Sequence, residues 1–222
     1  MITLALDAST YTGTVAVLRG LEVVADANAA MRGRDTEALM PAVAAALTSA
    51  GVSPRDLDRV VCGSGPGSVT SLRIAASIAK GISFAVGCPL FAISSLALIV
   101  TADGEPRAGR NLAVLDALRG DAYVGGYSIS VNGDVEVVLP EQLVPQAEVP
   151  RLAESLGAVT VGPGQAIDRM PHAHGVRALG ALIEASGPVE LGSWEPHYGR
   201  KAEAQARWEA THGQPLPSGG NA

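Results

Sequence analysis

The chain has 222 residues, of which 47% are hydrophobic and 17% charged, and its net charge is −6. That length supports one large domain or two small ones with real cores, and the acidic balance excludes a free-standing nucleic-acid binder, which needs a basic surface to displace counterions. Aromatic residues are only 4%, so alanine and valine fill the core and favour close packing of helices on sheets.

The N-terminus, Met1-Ile2-Thr3-Leu4-Ala5-Leu6-Asp7, carries an early acid and no basic segment, so it does not read as a targeting peptide. Residues 2–6 read as a strand, 7–13 as a polar turn, and 14–18 and 21–25 as two further strands. A charged loop, Arg32-Gly33-Arg34-Asp35, leads into a helix expected over 36–50. Its stripe is Leu39, Met40, Val43, Leu47 and Ala50, with Asp35 or Thr36 as cap, Pro41 kinking its first turns and Gly51 as stop.

Residues 60–62 read as a buried strand, and 70–86 as a helix carrying Ile74, Ala75, Ile78, Ala79, Ile82 and Val86. Between them runs Gly63-Ser64-Gly65-Pro66-Gly67-Ser68-Val69-Thr70-Ser71-Leu72-Arg73-Ile74, the most informative stretch of the chain. A strand, a glycine-rich loop and a helix start place free N–H groups where an anion or a partner carbonyl can meet them. The loop lacks the Lys-Ser/Thr of a P-loop and the spacing of a dinucleotide turn, so packing is as good a reading as binding.

Gly87 and Pro89 end the helix, and 89–93 reads as a strand. The longest apolar stretch, 91–100, is interrupted by Ser94 and Ser95 and falls short of the roughly 20 residues a bilayer needs. Cys62 and Cys88 stand far apart with no C-x-x-C, which reads as buried, reduced thiols. The expected location is the cytoplasm, away from membranes.

Residues 103–109 are the best candidate boundary, dividing the chain into lobes at 1–105 and 106–213, with a polar tail at 214–222. Beyond it the beginning is echoed: Leu4-Ala5-Leu6-Asp7-Ala8 returns as Val114-Leu115-Asp116-Ala117, each an apolar strand ending in Asp-Ala before a turn and a glycine-containing strand. A second strand-to-loop-to-helix junction is expected at Val159-Thr160-Val161-Gly162-Pro163-Gly164-Gln165. Residues 140–150, with three prolines, read as a loop, and 151–156 as a helix. His172-Ala173-His174, beside Pro171, is the only close histidine pair and reads as a loop rather than a metal site.

Several of these stretches together resemble the TsaB (YeaZ) family. They are the N-terminal Leu4 to Thr10, the Asp35-Thr36-Glu37-Ala38-Leu39-Met40-Pro41 segment, Gly63 through Ile74, the strand from Pro89, Leu115-Asp116-Ala117, and Pro196-His197-Tyr198-Gly199-Arg200. Val69 stands where an aromatic is usual and Ser71 where glycine is usual. The resemblance implies an α/β fold of the actin-like, sugar-kinase and heat-shock ATPase (ASKHA) class, two similar lobes of mixed sheet flanked by helices. It implies a part in making threonylcarbamoyladenosine beside the anticodon of tRNA, as the non-catalytic partner of a TsaD-like transferase, with a TsaE-like ATPase in the same complex and tRNA met indirectly.

The resemblance also directs attention to particular residues. TsaD-like enzymes hold a metal through H-x-x-x-H, where this chain has Ser95 and Ile99, neither able to replace a neutral imidazole. No metal and no required cofactor are therefore expected. Asp7, Ser9, Thr10, Asp116, Gly162 and Gly164 mark where a vestigial ATP or ADP site would lie. Gly63, Gly65, Pro66, Gly67, Ser68, Thr70 and Arg73 form a structural loop. Leu39, Val43, Leu47, Ala75, Ala79 and Ile82 are candidates for a docking face, toward the TsaD-like subunit or in a homodimer. The competing class is a small actin-like phosphotransferase or ATPase, which Asp7→Asn would silence. A peptidase is disfavoured because no G-x-S-x-G elbow stands in the company of a histidine.

Overall fold

The computed structural model describes residues 1–33, 37–102 and 106–199. The expected cap at Asp35 or Thr36, the core of the boundary at 103–105, Arg200 and the tail at 214–222 lie outside them.

The first half builds a five-stranded sheet. β1 (Ile2–Asp7), β2 (Thr12–Arg19) and β3 (Glu22–Ala30) form an antiparallel meander; β4 (Arg59–Gly63) pairs parallel to β1, and β5 (Leu90–Ile93) parallel to β4. Helix α1 (Leu39–Ser49) crosses from β3 to β4, and α2 (Val69–Val86) from β4 to β5. α1 starts three residues later than expected. Glu37 closes its N-terminus, the carboxylate accepting the amides of Leu39 and Met40. Pro41 therefore lies in the first turn, where its missing N–H has no helical partner to lose, and α1 continues unbroken past it. α2 ends at Gly87, whose φ of +78° suits a residue without a Cβ.

The second half repeats the pattern. β6 (Gly109–Asp116), β7 (Asp121–Ile129) and β8 (Val135–Pro145) form a meander, and β9 (Val159–Val161) pairs parallel to β6. Strand order β8-β7-β6-β9 matches β3-β2-β1-β4 of the first sheet, so the Asp-Ala echo marks equivalent strand ends. This pair of mixed sheets flanked by helices is the ASKHA architecture.

Two expectations are corrected here. Residues 140–150 are not a loop throughout: β8 continues to Pro145, and α4 (Val149–Leu156) begins two residues early. β8 is an edge strand, and Pro140 falls where its register against β7 shifts, so no ladder hydrogen bond is demanded of it. The junction after β9 does not lead into a helix. Gly162 to Gln165 form a turn, Ile167 bridges back to Val161, and the next helical residues are a 3-10 turn at Ala173–Ala178, followed by α5 (Gly180–Ser186).

The core has three parts. α1 and α2 cover one face of the first sheet, where Leu4, Leu6, Val60 and Cys62 meet Leu39, Val43, Ala75 and Ala79. α4 covers the outer face of the second sheet with Val149 and Ala153. Between the sheets, α3 (Ser95–Val100), the 3-10 turn and α5 bury Ala5, Val61 and Phe91 of the first sheet together with Leu115 and Tyr127 of the second. The chain of the second half thus returns to complete the first. α2 is long and apolar enough to cross a membrane, and its Leu72, Ala75, Ala76 and Ala79 are buried inside this fold. Both cysteines are free and buried.

Candidate functional site in the interlobe cleft

A cleft of about 470 Å³ opens between the lobes. One wall is the turn after β1 and the start of α2, with Ser9, Thr10 and Thr70; the other is the turn after β6, with Asp116, Leu118 and Arg119. Tyr11, Tyr123 and Tyr198 add aromatic surface, and the Arg32 guanidinium lies 3.5 Å from the centre of the Tyr11 ring. The arginines and tyrosines escape a motif search because they are scattered along the chain. Only Tyr198 carried a signal, in Pro196 to Arg200.

The glycine-rich loop does not present an empty cradle. A Cβ on Gly63 would lie 2.0 Å from Asp7 Oδ2, one on Gly65 would lie 2.2 Å from the His197 carbonyl, and one on Gly67 would lie 2.2 Å from the Ser9 carbonyl. These three glycines let the chain close on itself. Ser68 N–H donates to the Ser9 carbonyl at 2.8 Å, and His197 N–H to the Ser64 carbonyl at 2.7 Å. Pro66 is buried in this contact. Ser68 Oγ pairs with Ser71 Oγ at 3.1 Å, and Arg73 Nε donates to Tyr198 Oη at 3.2 Å. Of the predicted loop residues, Thr70 faces the cleft exposed, with Gly67 and Ser68 beside it.

The predicted nucleotide residues separate. Asp7 is fully buried and does not line the cleft. Its Oδ1 accepts Ser9 N–H at 3.0 Å and Ser9 Oγ–H at 2.7 Å, and its Oδ2 accepts Ser95 Oγ–H at 2.5 Å. Burial raises its pKa above the ordinary carboxylate value, and the hydrogen bonds from Ser95 and Ser9 only partly offset that. A carboxyl group so enclosed does not face an ion in the cleft. Asp116 is the opposite case: exposed, on the cleft wall, with Oδ1 accepting Leu118 N–H at 2.7 Å. Beside it Leu118 and Arg119 adopt φ of +62° and +60°, a left-handed conformation that costs a residue with a Cβ. Gly162 packs on β6, where a Cβ would lie 2.0 Å from the Val114 carbonyl, and Gly164 is open to solvent; Pro163 between them reaches the cleft.

A serine, a glutamate and a histidine do meet nearby, but not as a nucleophile and its base. Ser94 Oγ–H donates to Glu141, while the same oxygen accepts Leu96 N–H, Ala97 N–H and Tyr127 Oη–H. His197 Nδ1 is 3.7 Å from the far oxygen of Glu141 and touches no serine hydroxyl in this group. Burial raises the Glu141 pKa. Ser94 is the cap of α3, with its hydrogen-bonding capacity engaged within the fold.

The predicted docking residues need correction. Leu39, Val43, Leu47, Ala75 and Ala79 are buried against the first sheet, none more than 5% exposed. Ile82 alone is half-exposed. The surface between α1 and α2 lies one register outward, where Met40, Ile78, Ile82 and Val86 line an apolar groove of about 360 Å³ over Leu47. The stripe pattern located the helices correctly but could not say which apolar edge lay beyond the sheet.

Comparison with known proteins gives consistent relatives. A family model described as "TsaD: tRNA N6-adenosine threonylcarbamoyltransferase" matches residues 32–173. The chain is 32% identical to the "tRNA threonylcarbamoyladenosine biosynthesis protein TsaB" of Bacillus subtilis, over 94% of this chain and 98% of that one. It is 33% identical to the protein of the same description from Escherichia coli, over 72% of this chain and 71% of that one. Two solved structures from Pseudomonas aeruginosa share the fold at 26% identity. One, described as similar to peptidase YeaZ, has a TM-score of 0.74 and aligns over 90% of this chain and 99% of its own; the other, YeaZ, scores 0.71 over 89% and 99%.

Proposed function

The chain belongs to the TsaB/YeaZ family and so to the machinery that makes threonylcarbamoyladenosine in tRNA; from that premise we propose that it is the non-catalytic subunit that binds and supports a TsaD-like transferase. The observation that carries this reading is the groove between α1 and α2. Met40 is 44% exposed there, and Ile78 and Ile82 opposite it are only partly buried. Apolar surface gathered at one helix pair is what a lone protein tends to cover and an interface uses. The occupant is the TsaD-like subunit; a second copy of this chain is the competing occupant.

The absence of chemistry of its own is supported from two sides. Ser95 and Ile99, at the positions of the TsaD metal pair, are both fully buried in α3, and Ser95 is committed to Asp7. Asp7, which an actin-like phosphotransferase would turn toward a metal-bound nucleotide, is closed off. A TsaE-like ATPase then joins through the complex, and most tRNA contact falls to the partner, given a net charge of −6 here.

The test is light scattering after gel filtration of this protein alone and mixed with the TsaD-like protein of the same cell, followed by threonylcarbamoyl transfer to tRNA. A mixed species at the summed mass is expected. Met40→Glu and Ile82→Glu weaken it at least tenfold, about 1.4 kcal/mol, with the fold intact. Val43→Asp and Ala79→Glu unfold the protein instead, because both residues are core. Two unmixed peaks in the presence of tRNA and nucleotide, or magnesium-dependent nucleotide turnover by the lone chain, would overturn the reading.

A further inference from the structure

Away from the cleft, Asp26 of β3 faces His172 and His174, which flank the start of the 3-10 turn. His172 Nε2 is 4.0 Å and His174 Nδ1 3.9 Å from the same carboxylate oxygen, Asp26 Oδ2, and one donor atom from each residue lies within 4.8 Å of the others. The rings stand face to face, centroids 3.8 Å apart and tilted by 30°. These separations are too long for hydrogen bonds. A tetrahedral ion needs about 3.3 Å between donors, so the two histidine–aspartate separations must contract by roughly 0.7 Å and the histidine–histidine separation by up to about 1.5 Å, which side-chain rotation has to supply.

We propose that Asp26, His172 and His174 form a site for a divalent transition metal of the zinc type. Two imidazoles and one carboxylate suit zinc, nickel or copper rather than magnesium or calcium, which prefer oxygen alone. The backbone behind the histidines is held in place. Ala173 is fully buried, its N–H donating to Thr14 Oγ1 at 3.0 Å, and a Cβ on Gly175 would lie 2.5 Å from Thr101 Oγ1. With Ala173 turned inward, both neighbouring side chains face β3. His174 Nε2 bonds the Ala102 carbonyl, which leaves the proton on Nε2 and a lone pair on Nδ1 toward Asp26; a ligating histidine is usually fixed by such a second bond.

His172 is the ligand that must adjust. Its Nδ1 accepts His174 N–H at 3.2 Å, which leaves its proton on Nε2, so the ring has to give up that bond and turn to offer a lone pair. Asp26 and His174 therefore dominate the affinity. An ion here would tie β3 of the first sheet to the segment that returns from the second half, with a water completing the coordination.

The test is calorimetric titration of the tag-free full chain with zinc chloride, paired with a thermal melt. One zinc per chain in the micromolar range is expected, with a higher melting temperature on binding. Asp26→Asn and His174→Gln each weaken binding by about tenfold or more, and His172→Gln by less. His197→Gln, beside Glu141 and away from this cluster, leaves it unchanged. Circular dichroism checks that each variant is folded. No uptake at 100-fold excess over the protein, or uptake that survives all three substitutions, would overturn the proposal.

Discussion

The two lobes set the same Asp-Ala at the end of the same strand, and its fate is opposite in each. Asp7 at the end of β1 is sealed under the glycine-rich loop that succeeds β4, with Ser95 of α3 reaching in from the other side. Asp116 at the end of β6 stays open on the cleft wall. The difference lies in the segment beyond the parallel strand. After β4 the chain turns back over Asp7 and starts the 18-residue α2; after β9 the turn at Gly162 packs on Val114 instead, and no helix comes directly after it. A repeated dipeptide fixes where an acid stands on its strand, while the loop beside it fixes whether that acid meets water or protein.

The sharpest way to break this comparison is at the glycines. Gly67→Ala drives a Cβ to 2.2 Å from the Ser9 carbonyl, backbone against backbone, and should cost about 4 kcal/mol or more in urea unfolding. Gly164→Ala meets nothing within 4 Å and pays only for its φ of +70°, about 1 kcal/mol. Equal losses at the two sites would show that the first-lobe loop is no more tightly closed than the second.

The acids come next. Asp7→Ala strands the Ser9 amide and the Ser95 hydroxyl in the core and should destabilise by about 3 kcal/mol, whereas Asp116→Ala, at the surface, should stay within about 0.5 kcal/mol. The pH dependence refines the contrast. Since burial raises the Asp7 pKa above 3.8, the folded chain holds a proton that the unfolded chain releases. The stability this contributes is full below the unfolded carboxylate pKa and is lost as pH rises through the folded one. Asp7→Asn cannot titrate, so its urea midpoint should fall less between pH 4 and pH 8 than that of the wild type. Parallel curves would mean that Asp7 ionises as freely as an exposed acid.

The smallest effect belongs to the open turn. Leu118→Gly relieves a left-handed leucine and should stabilise by about 0.5 kcal/mol after the added freedom of the unfolded chain is counted. A loss at this position would show that the Leu118 side chain, though 58% exposed, makes a contact worth more than the strain.

By itself the sequence determined the local elements and their repetition. Strand alternation, the helical stripes, Gly87 as a stop and the Asp-Ala echo are short-range features, read by neighbours a few residues apart, and they led to the correct architecture and family. Where the local rule reads proline as a break, in β8, it fails because an edge strand has a side with no ladder to lose. Only the tertiary structure decided the rest. It buried Asp7 and left Asp116 exposed. It turned Leu39, Val43 and Ala79 inward and left Met40 and Ile82 at the groove. It carried residues 173–183 back onto the first sheet, and so brought His172 and His174 to Asp26. Each of these depends on which surfaces meet across long stretches of chain, and burial, unlike periodicity, is settled only when the partner surface is in place.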